Sequence, residues 1–267
     1  MAMRRGDIGC IDRRRATLGL CACMMAPRVA HAGQAKVASL KQIKGCFVDR
    51  ENANLVLGSR MVSGDLSGLP EEVRAMMRTT GNPNLDVIFD AALQRLAKTF
   101  GVWPKVGFYD DSDEPNAIAV RYEGASGPEF AVVFGRNYFT KLYAYDPSGI
   151  TILQTAAHEF AHVWLYQTGK FEEVRGGQPT VKRIELHADF LSGYYLGIRK
   201  RDNPEASFWA AGIRRWQSGD NELRNLHHHG TPDERLAAAE AGFKLGYQDN
   251  VAAKEAFAAA SAFVARL

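Results

Sequence analysis

Apolar residues recur at helical spacing along much of this chain. From Asn84 to Phe100, the residues Leu85, Ile88, Phe89, Ala92, Leu93, Leu96 and Phe100 fall on one face of a 3.6-residue period. Gly101 follows, where a helix would stop. The period then shortens. Val106–Tyr109, Ala117–Val120 and Phe130–Phe134 read as short strands, separated by polar turns at Asp110–Asp113 and Glu123–Gly127. Helical spacing returns over Asn137–Tyr145, Thr151–Tyr166, Val181–Ile198, Ala206–Gln217, Pro232–Leu245 and Val251–Ala265. Gly169 ends the second of these, and a polar loop with Gly176 and Gly177 comes after it. Pro70–Met77 reads as a short helix opening on a proline, and residues 33–65 carry no clear pattern. Helices, a small antiparallel sheet, one strongly apolar helix and a helical C-terminal half together predict an α+β fold.

The first residues follow a different logic. Arg13, Arg14 and Arg15 precede an apolar run from Ala16 to Ala26, and Ala30-His31-Ala32 offers small residues at the two positions a signal peptidase reads. Basic, apolar, small is the order of a secretory signal, and the run is too short to span a bilayer. Residues 1–32 are therefore expected to be removed, leaving 33–267 as one exported domain in the periplasm or secreted. Within that domain, residues 33–105 resist assignment. Arg14-Arg15-Ala16-Thr17-Leu18 resembles a twin-arginine signal. Leu20-Cys21-Ala22-Cys23 loosely resembles a lipoprotein site, which would give a lipid anchor at Cys23; cleavage after Ala32 fits the longer pattern better.

Removal of this segment changes the charge. Residues 1–32 hold six arginines and two aspartates, a net of +4, against +3 for all 267 residues, so the remainder is 3 − 4 = −1. No basic surface or motif is left to argue for nucleic acid. Of four cysteines only Cys46 lies beyond residue 32, so no disulfide can form within that domain; Cys46 reads as a small buried hydrophobe.

The chemistry concentrates in the apolar helix, which reads His158-Glu159-Phe160-Ala161-His162. Residues four apart share a helix face, so both imidazoles can reach one metal ion with Glu159 beside them. His-Glu-x-x-His on a helix is the zinc metallopeptidase signature. Ile152, Leu153, Ala156, Ala157, Val163, Trp164 and Leu165 bury the segment, and buried polar groups need partners or a metal. A catalytic zinc takes three protein ligands. Glu185-Leu186-His187-Ala188-Asp189 offers the third: Glu185 and Asp189 are four apart on a largely apolar helix, so Glu185 can bind the metal while Asp189 meets the outer nitrogen of a ligand histidine. His187, two residues on, points elsewhere.

These segments, with Gly193, resemble the gluzincin metallopeptidases, in particular the bacterial neutral zinc metallopeptidases and the family of the membrane heat-shock protease and the CAAX-prenyl protease. The resemblance extends to His229-Gly230-Thr231-Pro232-Asp233-Glu234-Arg235 and covers roughly residues 115–245. It implies a zincin-like fold with one Zn2+ on His158, His162 and Glu185, Glu159 as general base and Asp189 behind the ligands. By position in the third motif, His229 becomes the candidate oxyanion donor, ahead of Tyr194 and Tyr195, and Arg235 a loop anchor through a carboxylate. The resemblance also implies that the strand Phe130–Phe134 is an edge that pairs with an extended substrate. The spanning helices of the membrane relatives are absent from this sequence, and residues 33–105 match nothing in the pattern.

The expected activity is hydrolysis of peptide bonds in a peptide or protein substrate by water activated between zinc and Glu159. A zinc amidohydrolase on a non-peptide substrate would use the same residues. A zincin-like binding protein without hydrolysis would be expected to lack the base or a ligand, and Glu159 and Glu185 are both present.

Overall fold

The computed structural model describes residues 47–48, 79–109, 111, 115–124 and 127–267. The expected signal segment, Cys46 and the expected helix Pro70–Met77 lie outside these residues. All described residues belong to one unit, Lys36–Leu267.

The elements in chain order are β1 (Phe47–Val48), α1 (Pro83–Phe100), β2 (Lys105–Tyr109), β3 (Ala117–Gly124), β4 (Gly127–Gly135), α2 (Arg136–Tyr145), α3 (Ile150–Gln167), α4 (Phe171–Arg175), α5 (Lys182–Asp202), α6 (Trp209–Gln217), α7 (Pro232–Lys244) and α8 (Ala253–Ala265). A π-helical turn, Leu245–Asp249, extends α7. The fold is mixed α and β and mostly helical. No described helix is long and apolar enough to cross a membrane.

The sheet corrects the expected antiparallel arrangement. Its order is β1-β3-β4-β2. β3 and β4 form an antiparallel hairpin, from Ala117 opposite Phe134 to Gly124 opposite Gly127. β2 runs parallel to β4, and β1 runs parallel to β3, so the sheet is mixed. β4 therefore lies inside the sheet, and its Ala131–Phe134 are buried. Of the expected substrate edge Phe130–Phe134, Ala131–Phe134 are paired on both sides, so that reading is overturned.

Local chemistry sets the helix ends. Asn82 caps α1 by accepting from the Asn84 and Leu85 N–H groups, and Gly101 ends it at φ 69°. α2 starts without a cap of its own at Gly135, and Asp111 serves instead. Its fully buried carboxylate accepts the Asn137 N–H at 2.7 Å and the Tyr138 N–H at 2.8 Å. Phe89, Phe108, Phe134 and Phe139 then join α1, β2, β4 and α2 through edge-on ring contacts.

α3 packs under β3 and β4 and against α5, and α5 packs in turn on α7 and α8. The crossing of α5 and α7 is close because it is made through glycine. A Cβ on Gly193 would collide with the Ala239 carbonyl, and one on Gly242 with the Phe190 carbonyl. The two backbones touch, which fixes Arg235 of α7 relative to Glu185 and Asp189 of α5.

Candidate metal centre

Three side chains from two helices converge at the buried centre. His158 Nε2 and His162 Nε2, one turn apart on α3, stand 3.1 Å from each other. Glu185 of α5 places Oε2 3.3 Å from His158 Nε2 and Oε1 3.5 Å from His162 Nε2. One ligand atom from each lies within 4.8 Å of the others, and all three residues are buried, so this group can hold a metal ion. The donor chemistry fits one. Burial, opposed by the Glu185 charge, pushes His162 down to about 3, so its ring is neutral and keeps a lone pair to donate. Two imidazoles with a carboxylate suit zinc and other borderline divalent ions.

Behind these three side chains lies a charged network that the sequence showed only in part. Asp189 Oδ1 is 2.9 Å from His158 Nδ1, which fixes that ring and turns Nε2 toward the centre. Arg235 grips the same carboxylate with two donors, Nε to Oδ2 at 2.6 Å and Nη2 to Oδ1 at 3.0 Å. Its Nη1 donates to the Ser218 carbonyl at 3.0 Å, and Nη2 stands 3.6 Å from Glu185 Oε2. Arg235 thus ties the loop after α6 to the centre. Arg215 of α6 adds Nη1 at 2.9 Å from Asp189 Oδ1. Burial alone would raise the Asp189 carboxyl. The two guanidiniums and the His158 contact outweigh it and hold the group well below the usual carboxylate range. Glu185 is likewise held well below that range, by His229, His162 and His158 against the effect of burial.

Glu159 differs from these two. Burial, reinforced by the Glu185 charge, pushes its carboxyl well above the usual range, while Arg215, the Ala119 backbone N–H and Arg235 pull the other way. Its Oε2 has no hydrogen-bond partner among the described residues. Glu159 is thus a buried carboxyl that takes up a proton readily, next to His158 in sequence and under the influence of the Glu185 charge.

The loop before α7 is built on Asp220. Its carboxylate accepts the His229 N–H at 3.0 Å, lies 2.5 Å from His228 Nδ1 and stands 3.7 Å from His229 Nδ1. His229 is half-buried, and it is one of the groups that hold the Glu185 carboxyl down. His228 is buried, and His227 donates its backbone N–H to Asn225. The two tyrosine hydroxyls are engaged elsewhere: Tyr194 donates to Val251 O at 2.8 Å and Tyr195 to Ala92 O at 3.4 Å. His187 is buried against Trp164, with ring centroids 6.0 Å apart.

Arg215 and Asp220 were not singled out in the sequence. Arg214-Arg215 looks like a solvated basic pair, but Arg215 is one helical turn from Ala211, and both are buried. That spacing was the available signal. Asp220 lies in a polar stretch with nothing local to distinguish it. A scan against protein-family models, a search of curated proteins and a search of solved structures each find no match to this chain.

Proposed function

We propose that the chain is an exported zinc-dependent metallopeptidase with a zincin-like arrangement of sheet and metal helix. The observation that carries this reading is Glu159. A purely structural His-His-Glu group has no use for a second buried carboxyl with an unpartnered oxygen beside it. His158, His162 and Glu185 would hold the ion. When bound, it would supply Lewis acidity, acidifying water and polarising a carbonyl oxygen.

The chain's own residues supply the rest. Glu159 takes the proton of the attacking water and returns it to the leaving amine. Asp189 Oδ1 stands 2.9 Å from His158 Nδ1, which leaves Nε2 on the side of His162 and Glu185, where it could help hold the ion. Arg215 and Arg235 keep Asp189 charged and fixed. His229, steered by Asp220, is the donor for the oxyanion that forms on the attacked carbonyl. Export is supported by the basic, apolar, small order of residues 13–32.

The test is Glu159→Gln. Both chains are expected to retain zinc, and only the unaltered chain is expected to cut a mixed peptide library, with cleavage abolished by a chelator and a loss in the variant of at least about a hundredfold. Equal cleavage by both chains would remove Glu159 from the mechanism.

A further inference from the structure

A cavity of about 640 Å³ opens where the end of α1, the end of α3, the start of α4 and the first turns of α8 meet. It is separate from the metal centre. None of His158, Glu159, His162 and Glu185 lines it. Trp164, which does, is two residues past His162 and so turned to the opposite face of α3. Sites for small organic molecules run from roughly 300 to 1,000 Å³, so the volume suits one.

Charge in the lining is one-sided. Among the described residues, Lys98, Lys170 and Lys254 meet a single carboxylate, Glu173. Lys170 occupies that carboxylate at 3.0 Å. Lys98 and Lys254 have no ion pair or hydrogen bond among the described residues. Lys254 also stands in the first turn of α8, where the helix dipole disfavours a cation. Glu255 shares that turn but does not line the cavity. The wall between the lysines is aromatic. Trp164 and Phe257 stack with ring centroids 3.8 Å apart and planes within 9° of parallel, and Phe100 meets Phe257 edge-on at 5.4 Å. Rings that pack on one another in this way form a rigid apolar surface.

A cavity with an apolar wall and two unpaired ammonium groups asks for both features in its occupant. We propose that it binds a small organic anion, with an apolar body against Trp164 and Phe257 and an acidic group held by Lys98 and Lys254. The proposal stands apart from the peptidase reading, because it uses no residue of the metal centre.

The experiment uses the full chain and two probes, anilinonaphthalenesulfonate and phenylnaphthylamine, which share their rings and differ by the sulfonate. The sulfonate is expected to bind saturably at about one per chain, at least about tenfold more tightly than the uncharged amine, and more weakly as salt rises. Lys98→Gln combined with Lys254→Gln is expected to weaken the sulfonate about tenfold and to leave the amine unchanged. Ala258→Trp fills the cavity without altering charge and is expected to weaken both probes. All three positions are exposed, so the variants keep the fold. Equal affinity for the two probes would overturn the proposal. So would sulfonate binding that is absent, that is indifferent to the lysine pair, or that survives Ala258→Trp unchanged.

Discussion

Single residues carry opposite electrostatic loads in one small volume. Asp189 and Glu185 are forced to stay charged, Glu159 is pushed toward its neutral form, and burial pushes His162 and His187 down to about 3. His187 offers a pH test: burial first, and the nearby His162 second, push its ring toward the neutral form. In the unfolded chain it takes a proton near its ordinary 6.5, and in the folded chain only near 3. Between these values the unfolded state binds more protons, so its contribution to stability is complete above about 6.5 and is lost as pH falls toward 3. The slope is about 1.4 kcal/mol per pH unit for one such group. Replacing His187 by Phe, which keeps the stacking on Trp164, is expected to flatten urea-derived stability against pH by about one proton between pH 6 and 4. An unchanged slope would mean that His187 can take up its proton in the folded state.

At the scale of elements, the site depends on how closely α5 and α7 approach. Ala at Gly193 would drive a methyl into the Ala239 carbonyl, and the backbone cannot yield there as a flexible side chain could. Gly193→Ala is expected to cost about 1–3 kcal/mol by denaturant unfolding and to loosen Arg235 from Asp189. A change under about 0.5 kcal/mol would show that the crossing has slack. Much of this scale was legible in the sequence. The apolar period placed α1, α3, α5 and α7 within a few residues of their observed ends, because each presents a long buried face. The strands were found but not their partners. The β2–β4 parallel pairing is decided by how the chain crosses over, which alternation along a strand does not encode. For the same reason Phe130–Phe134 looked like an edge and proved interior. Helix α4 was missed because Phe171–Arg175 is too short and charged to show a period.

At the scale of the whole molecule, the centre draws on widely separated stretches of chain. His158, Glu159 and His162 come from α3, Glu185 and Asp189 from α5, Arg215 from α6, His229 from the loop and Arg235 from α7. The motif residues were legible because helical spacing converts four positions into one face. Arg215 and Asp220 were not, because their roles exist only once α6 and its loop fold back on α5. Two carboxylates, Glu185 and Asp189, face two guanidiniums, Arg215 and Arg235, so these four groups balance without an ion. The fold therefore has no need of an ion to offset those charges, and an ion, when bound, would meet two imidazoles and one carboxylate already assembled.

The most direct test of the account is the zinc bound per folded chain at equilibrium, measured for the unaltered protein and for Asp189→Asn. The account predicts about one zinc per chain, with affinity weakened roughly tenfold to a hundredfold in the variant, because His158 loses the partner that orients it. A folded chain that takes up no divalent ion, or one whose affinity is indifferent to Asp189, would contradict it.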